Sequence, residues 1–277
     1  MAEAITTMGT TTIAMDTPSH RLGSSRPRMA YTFTRALTWL VAITAIAWGG
    51  FFLPQLWRQA PLDHVASEYL RGQGFKSGTL YKMVREAEMA KQLPFCDPTW
   101  LRDMLILRLA ILNDAIAEGD GARTKLDYAP LYVATRTALS CTPSNSFAWL
   151  VLFWLDVSRR GLNPDSAHYL RLSYTLSRNE EWIALWRNSL ALSIFPQLPT
   201  DLADDAVDEF IELVNTEQLY SQTVKIFAGL PPATQDRIVA KIGAVKAVPR
   251  QIFARMLYDD GIDVAIPGFR KPERPWQ

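Results

Sequence analysis

The two cysteines, Cys96 and Cys141, are the residues whose type and setting most directly suggest chemistry. Each opens a Cys-x-Pro pattern, Cys96-Asp97-Pro98 and Cys141-Thr142-Pro143, at an expected turn between two helices. Stacked helical hairpins bring equivalent turns to one edge, so the pair is expected to form a disulfide if the domain lies in an oxidising compartment. The alternative is two buried thiols acting as small hydrophobes. Nothing else in the chain has the spacing of a reactive site. The three histidines, His20, His64 and His168, have no ligand-type partner at metal-binding spacing. There is no Gly-x-Ser-x-Gly turn, and Cys141 has no base nearby in sequence. The sequence therefore predicts no catalytic, cofactor-binding or metal site.

Three further groups have a plain reading and a functional one. The run Gly72-Gln-Gly74-Phe-Lys-Ser-Gly78 lacks both a preceding strand and the Walker spacing, and reads as a connection rather than a phosphate loop. Asp201, Asp204, Asp205, Asp208 and Glu209 open a helix, where carboxylates complement the macrodipole. They read as a solvated face, with a cation site as the rarer alternative. Trp149, Trp154, Trp182 and Trp186, with Phe147 and Phe153, are a candidate aromatic groove able to stack on sugar rings. Packing between repeats accounts for most of them: Trp149 and Phe153 are one helical turn apart, as are Trp182 and Trp186.

The elements that must carry these residues are helices. Apolar residues recur at spacings of three and four, as in Leu101, Leu105, Leu109 and Leu112, and no alternating strand pattern appears. Asp97-Pro98 and Asn163-Pro164 each place a capping side chain before a proline at the first helical position, and Ser177 with Glu180 has capping-box spacing. Helices are expected near 62–71, 78–92, 98–118, 127–140, 145–160, 165–176, 179–194, 201–214, 217–228, 233–244 and 249–258.

Ahead of them, residues 36–57 carry no charged side chain and lie between Arg35 and Arg58. As a helix this run spans about 33 Å, enough for a hydrocarbon core of about 30 Å. Trp39 and Trp57 would sit near the two headgroup levels. Arg21, Arg26, Arg28 and Arg35 precede the span, whereas Arg58 is balanced by Asp63 and Glu68 after it. That asymmetry predicts a cytoplasmic N-terminus and an external remainder. Ala45-Ile46-Ala47 offers a competing signal-peptidase site. The expected organisation is a disordered tail over 1–28, a transmembrane helix over 34–57, an external helical-repeat domain over 60–260 and an extended tail over 261–277. Met29 is an alternative start. With 29 basic against 28 acidic side chains, well mixed, nucleic acid is not an expected partner.

The helices also repeat. Leu139, Ser140, Trp149 and Leu152 recur 33 residues on as Leu172, Ser173, Trp182 and Leu185, a period typical of tetratricopeptide units. The segment ALSCTPSNSFAWLVL resembles the junction of two such units, although Phe153 stands where the repeat has Gly. The expected fold class is all-α, a single transmembrane helix followed by an α-solenoid of tetratricopeptide-like hairpins, with an irregular helical bundle as the alternative. Taken with the FCDP and LSCTP turns and LRLSYTLSRNEEWIALWRNSLAL, the chain resembles, over about residues 80 to 200, VpsP-type accessory proteins of exopolysaccharide and O-antigen clusters. That resemblance implies a process and no catalytic residue. It points to a membrane-anchored, non-catalytic adaptor whose partners are envelope polysaccharide synthesis or export proteins in the bacterial inner membrane. The competing expectations are a general envelope chaperone and a polysaccharide-modifying enzyme, the latter needing two opposed carboxylates roughly 5 to 10 Å apart.

Overall fold

The computed structural model of the chain describes residues 28–90, 96–177 and 180–270. The expected tail before Arg28, with Arg21, Arg26 and His20, lies outside the described residues, as does 271–277. Every regular element described is helical. The order is α1 (Arg28–Leu70), α2 (Ser77–Ala90), α3 (Pro98–Ala117), α4 (Gly121–Cys141), α5 (Ser146–Arg160), α6 (Pro164–Leu176), α7 (Glu181–Ser193), α8 (Thr200–Val214), α9 (Tyr220–Ala228), α10 (Pro232–Lys241) and α11 (Ala247–Asp259), with single 3-10 turns before α8, α9 and α11.

The chain divides into two compact units, residues 1–55 and 56–277. The first contains one helical stretch, Tyr31–Leu53, long and apolar enough to cross a membrane, with a mean hydropathy of 1.9 and none of it buried. Trp39, Leu40, Ile43, Ile46 and Trp48 are all exposed, an arrangement that water disfavours and hydrocarbon does not. Helical backbone continues past residue 57 through Pro61 to Leu70, so the break expected over 58–61 is absent and the helix placed at 62–71 is the end of α1.

The second unit is a stack of hairpins. α3 packs on α4, α5 on α6 and α7 on α8. Beyond chain neighbours, α3 meets α5, α5 meets α7, α7 meets α9 and α9 meets α11, while α6 meets α8 and α8 meets α10. Two parallel rows of next-but-one contacts are what a helical-hairpin solenoid requires. The odd-numbered helices begin at residues 98, 146, 181, 220 and 247, so the 33-residue echo between α5 and α7 does not extend into an even spacing of the helices. α3 is apolar nearly all round and is enclosed accordingly, with Leu101, Leu105, Leu109 and Leu112 all buried. At the other end, Phe210, Phe227 and Phe253 from α8, α9 and α11 are fully buried, ring centroids 5.6 to 6.2 Å apart, two of the three pairs edge to face.

Local signals fix most boundaries. The Asp97 carboxylate accepts from the Trp100 N–H ahead of α3, and Asn163 forms a reciprocal box with Ser166 ahead of α6, each followed by Pro at the first position. Two expectations fail. α4 begins at Gly121 rather than 127, because Asp120 accepts from the Ala122 and Arg123 N–H groups and starts the helix early; Pro130 is carried in its interior. Ser177 does not cap α7: it closes α6 with its hydroxyl buried, and Glu180 occupies the N-cap without a side-chain bond.

Candidate functional site

The odd-numbered row builds a groove of about 610 Å³. α3 contributes Leu109 and Asn113, α5 Phe147, Val151 and Trp154, α7 Trp186 and Ser189, and α9 Gln222 and Ile226, while Tyr69 comes from the end of α1. The spacings 109/113, 147/151, 185/189 and 222/226 show why: each helix offers one face, a turn apart. Aromatic rings form its wall. Tyr69 and Phe147 both meet Trp186 edge-on with centroids 6.2 Å away, and Phe147 continues the cluster to Trp182 at 5.0 Å. The Asn113 amide donates to the Tyr69 hydroxyl at 3.4 Å, and burial pushes that phenol above its ordinary pKa. Among the described residues, the only charged side chain on the groove's lining is Arg71. Rigid apolar rings with a few amide and hydroxyl groups suit binding, and no nucleophile and base pair is offered there.

The four tryptophans expected together divide among three places. Trp154 and Trp186 line the groove. Trp182 sits behind Phe147 and borders a separate cleft of about 230 Å³ with Pro98 and Asn145. Trp149 turns away, stacked on Tyr169 at 5.7 Å with its indole N–H donating to the Pro143 carbonyl at 2.8 Å. Phe153 is wholly buried. A shared groove of Trp149, Trp154, Trp182 and Trp186 is therefore corrected to Trp154 and Trp186, joined by Tyr69 and Phe147. Residues 149 and 154 are five apart, about 140° around the helix, so one helix face cannot hold both.

Cys96 and Cys141 are joined as a disulfide, Cα atoms 5.6 Å apart. They lie just before α3 and at the last residue of α4, so the bridge ties the two free ends of one hairpin. His64 and His168 are exposed, and no group of three His, Cys, Asp or Glu side chains among the described residues could hold a metal. Residues 71–76 join α1 to α2, which opens at Ser77 and Gly78, and Gly72 lies in the left-handed region at φ 88°.

The acidic helix start is less solvated than its composition suggests. Asp201 pairs with Arg171 of α6, and Asp204 and Asp208 pair with Arg237 and Lys241 of α10. Glu209, its side chain 9% exposed, accepts two bonds from Arg187 of α7. Arg187 spends its other donors on the Ser173 and Ser177 carbonyls and lies 4.4 Å over the Tyr174 ring. Alternating pairs thus clamp α8 to three helices.

Comparison with protein-family models, with curated proteins and with solved structures finds no match to this chain.

Proposed function

We propose that this protein is a membrane-anchored, non-catalytic adaptor in bacterial envelope polysaccharide synthesis or export, of the VpsP-type class its sequence resembles. The observation that carries the adaptor reading is the groove on the odd-numbered helices, which offers aromatic and amide surface with Arg71 as its only charge among the described residues. Hairpin stacks hold partners on such faces without reacting groups of their own. The apolar stretch Tyr31–Leu53 supplies the anchor in this reading, and the arginine excess before it keeps the N-terminus in the cytoplasm. A disulfide between Cys96 and Cys141 agrees with an oxidising, external compartment for the hairpin stack.

Four experiments test it together. Reporter fusions at residue 30 and residue 100 should report cytoplasm and exterior respectively; the reverse pattern defeats the topology. Deletion of residues 60–260 should lower polymer yield or change its length distribution. Crosslinking from Gln222 should capture an envelope biosynthesis protein. A purified domain that cleaves or extends a cognate polysaccharide, with activity abolished by one carboxylate substitution, defeats the adaptor reading.

A further inference from the structure

α4 keeps one face uncovered. It packs mainly against α3 and α5, and its single acidic residue, Asp127, is buried and accepts from the Tyr81 hydroxyl of α2. The opposite arc carries Lys125, Leu126, Ala129, Tyr132, Val133 and Arg136, all exposed, Leu126 by 70% and Val133 by 62%. At 3.6 residues per turn these six positions fall within about 120° of one another. Tyr132, Lys125 and Arg136 form one edge of the arc, Val133 and Leu126 the other, and Ala129 lies between. Among the described residues neither Lys125 nor Arg136 has a carboxylate partner. Acids on the neighbouring elements are taken, Glu118 by Arg123 and Asp156 by Arg160.

A single exposed leucine needs no explanation, but apolar and cationic side chains sharing one acid-free arc are the pattern of a helix lying in a membrane interface. Tyr132 suits the same layer, its ring apolar and its hydroxyl wet. The charge selects the occupant. Anionic headgroups complement Lys125 and Arg136, whereas a two-fold dimer through this face would set those cations against their own copies. The chain itself supplies the surface: the apolar stretch Tyr31–Leu53, read as the anchor, tethers the second unit to a bilayer. Tethering makes docking an intramolecular step, so a face of modest strength suffices.

We propose that the outward face of α4 docks on an anionic lipid surface, Lys125 and Arg136 meeting headgroup phosphates and Leu126 and Val133 entering the boundary between headgroups and acyl chains. The proposal rests on the reading of Tyr31–Leu53 as a membrane anchor. It is independent of what the groove on the odd-numbered helices holds.

The test reconstitutes the full chain, its disulfide intact, with an environment-sensitive fluorophore on Ala129→Cys or, as the control, on the exposed Glu217→Cys. Vesicles are phosphatidylcholine alone or phosphatidylcholine mixed with phosphatidylglycerol, each doped with nitroxide-labelled lipid. The label at Ala129→Cys should be quenched in the mixed vesicles, less in phosphatidylcholine and less in molar salt, which screens exposed charge. The label at Glu217→Cys should stay bright. Lys125→Gln and Arg136→Gln should each lower the ratio of docked to undocked protein about fivefold. Leu126→Ser/Val133→Ser should lower it too. Circular dichroism melts identify a variant that unfolds, and the salt and lipid arms, which add no substitution on the α4 arc beyond the label, then decide the question. Alkaline carbonate reads the anchor separately: release of the chain defeats the anchor and this proposal with it. A retained chain without quenching at Ala129→Cys overturns the docking alone, as does equal quenching in both kinds of vesicle or in folded Lys125→Gln/Arg136→Gln. Shielding of that label from aqueous iodide without quenching by lipid assigns the face to a second copy or a partner protein, and overturns it as well.

Discussion

Arg187 and Glu209 meet with side chains 0% and 9% exposed, the Arg187 Nε donating to Glu209 Oε1 at 3.0 Å. Twenty-two residues separate them in the chain, and the contact locks α7 to α8. Desolvating two charges is costly, and the pair is tolerable because Arg187 also satisfies two carbonyls.

Breaking that pair from either side leaves a buried charge. Arg187→Met and Glu209→Leu singly should each lower unfolding free energy by about 3–5 kcal/mol, whereas the double substitution should recover most of the loss. Urea unfolding of the three variants measures this. Additive losses in the double variant would mean that the two side chains act separately.

How far such a contact is legible in the sequence depends on its range. The Asn163-Pro164 and Asp97-Pro98 starts are local, because a capping side chain reaches a backbone N–H two or three positions on, and both helices begin there. The all-helical class is legible for the same reason, since apolar residues at spacings of three and four mark helices such as α5 and α8. Glu209 is different. Leu202, Ala206, Val207 and Phe210 mark the buried face of α8, and Glu209 borders it with nothing in sequence to say whether α7 covers that border. The tryptophans divide likewise: spacing puts Trp182 and Trp186 on one helix, but the positions of Phe147 and Tyr69 decide which of them faces the groove. The early start of α4 is hidden by Gly121, which reads as a break in isolation, whereas the helix expected over 127–140 already carries Pro130.

The exposed pair between Arg171 and Asp201 gives a pH signature. The Arg171 guanidinium holds the Asp201 carboxyl below its ordinary range. A folded-state pKa below the unfolded one contributes stability that is present above the unfolded pKa and lost as pH falls through the folded one. Arg171→Ala should therefore flatten the acid side of the stability curve below about pH 4, the ordinary carboxylate range. The loss near neutrality should stay within about 0.2–1 kcal/mol because solvent screens the pair. Melting curves across pH 2.5 to 6, chosen as a window of about two units around that range, decide it. A loss that grows toward acid pH would contradict the assignment.

Reduction should loosen the α3–α4 hairpin. The Cys96–Cys141 bridge closes a loop of 45 residues, for which the chain-entropy account gives about 4 kcal/mol of stabilisation as an upper figure. Cys96→Ser, Cys141→Ser and the double variant should share one lowered melting temperature, equal to that of the reduced protein. A reductant that leaves the melting temperature unchanged would remove the bridge from the stability of the fold.

The groove makes the most direct functional prediction. Ser189 of α7 and Gln222 of α9 are exposed and border it from neighbouring helices, so arginine at either position fills space without disturbing a buried contact. Ser189→Arg and Gln222→Arg should change stability by no more than about 0.5 kcal/mol, the range of ordinary surface substitutions. Each should nonetheless reduce crosslinking to the bound partner and lower polymer yield if the groove is the docking face. Arginine at Glu217, exposed and outside the groove lining, is the matched control, carrying the same added side chain away from Trp154 and Trp186. Equal yield and equal crosslinking in Ser189→Arg, Gln222→Arg and Glu217→Arg would show that these rings serve only to pack α5 against α7. A defect confined to the two groove variants would mean that the aromatic wall formed by Tyr69, Phe147, Trp154 and Trp186 meets something other than this chain, because folding alone distinguishes none of the three.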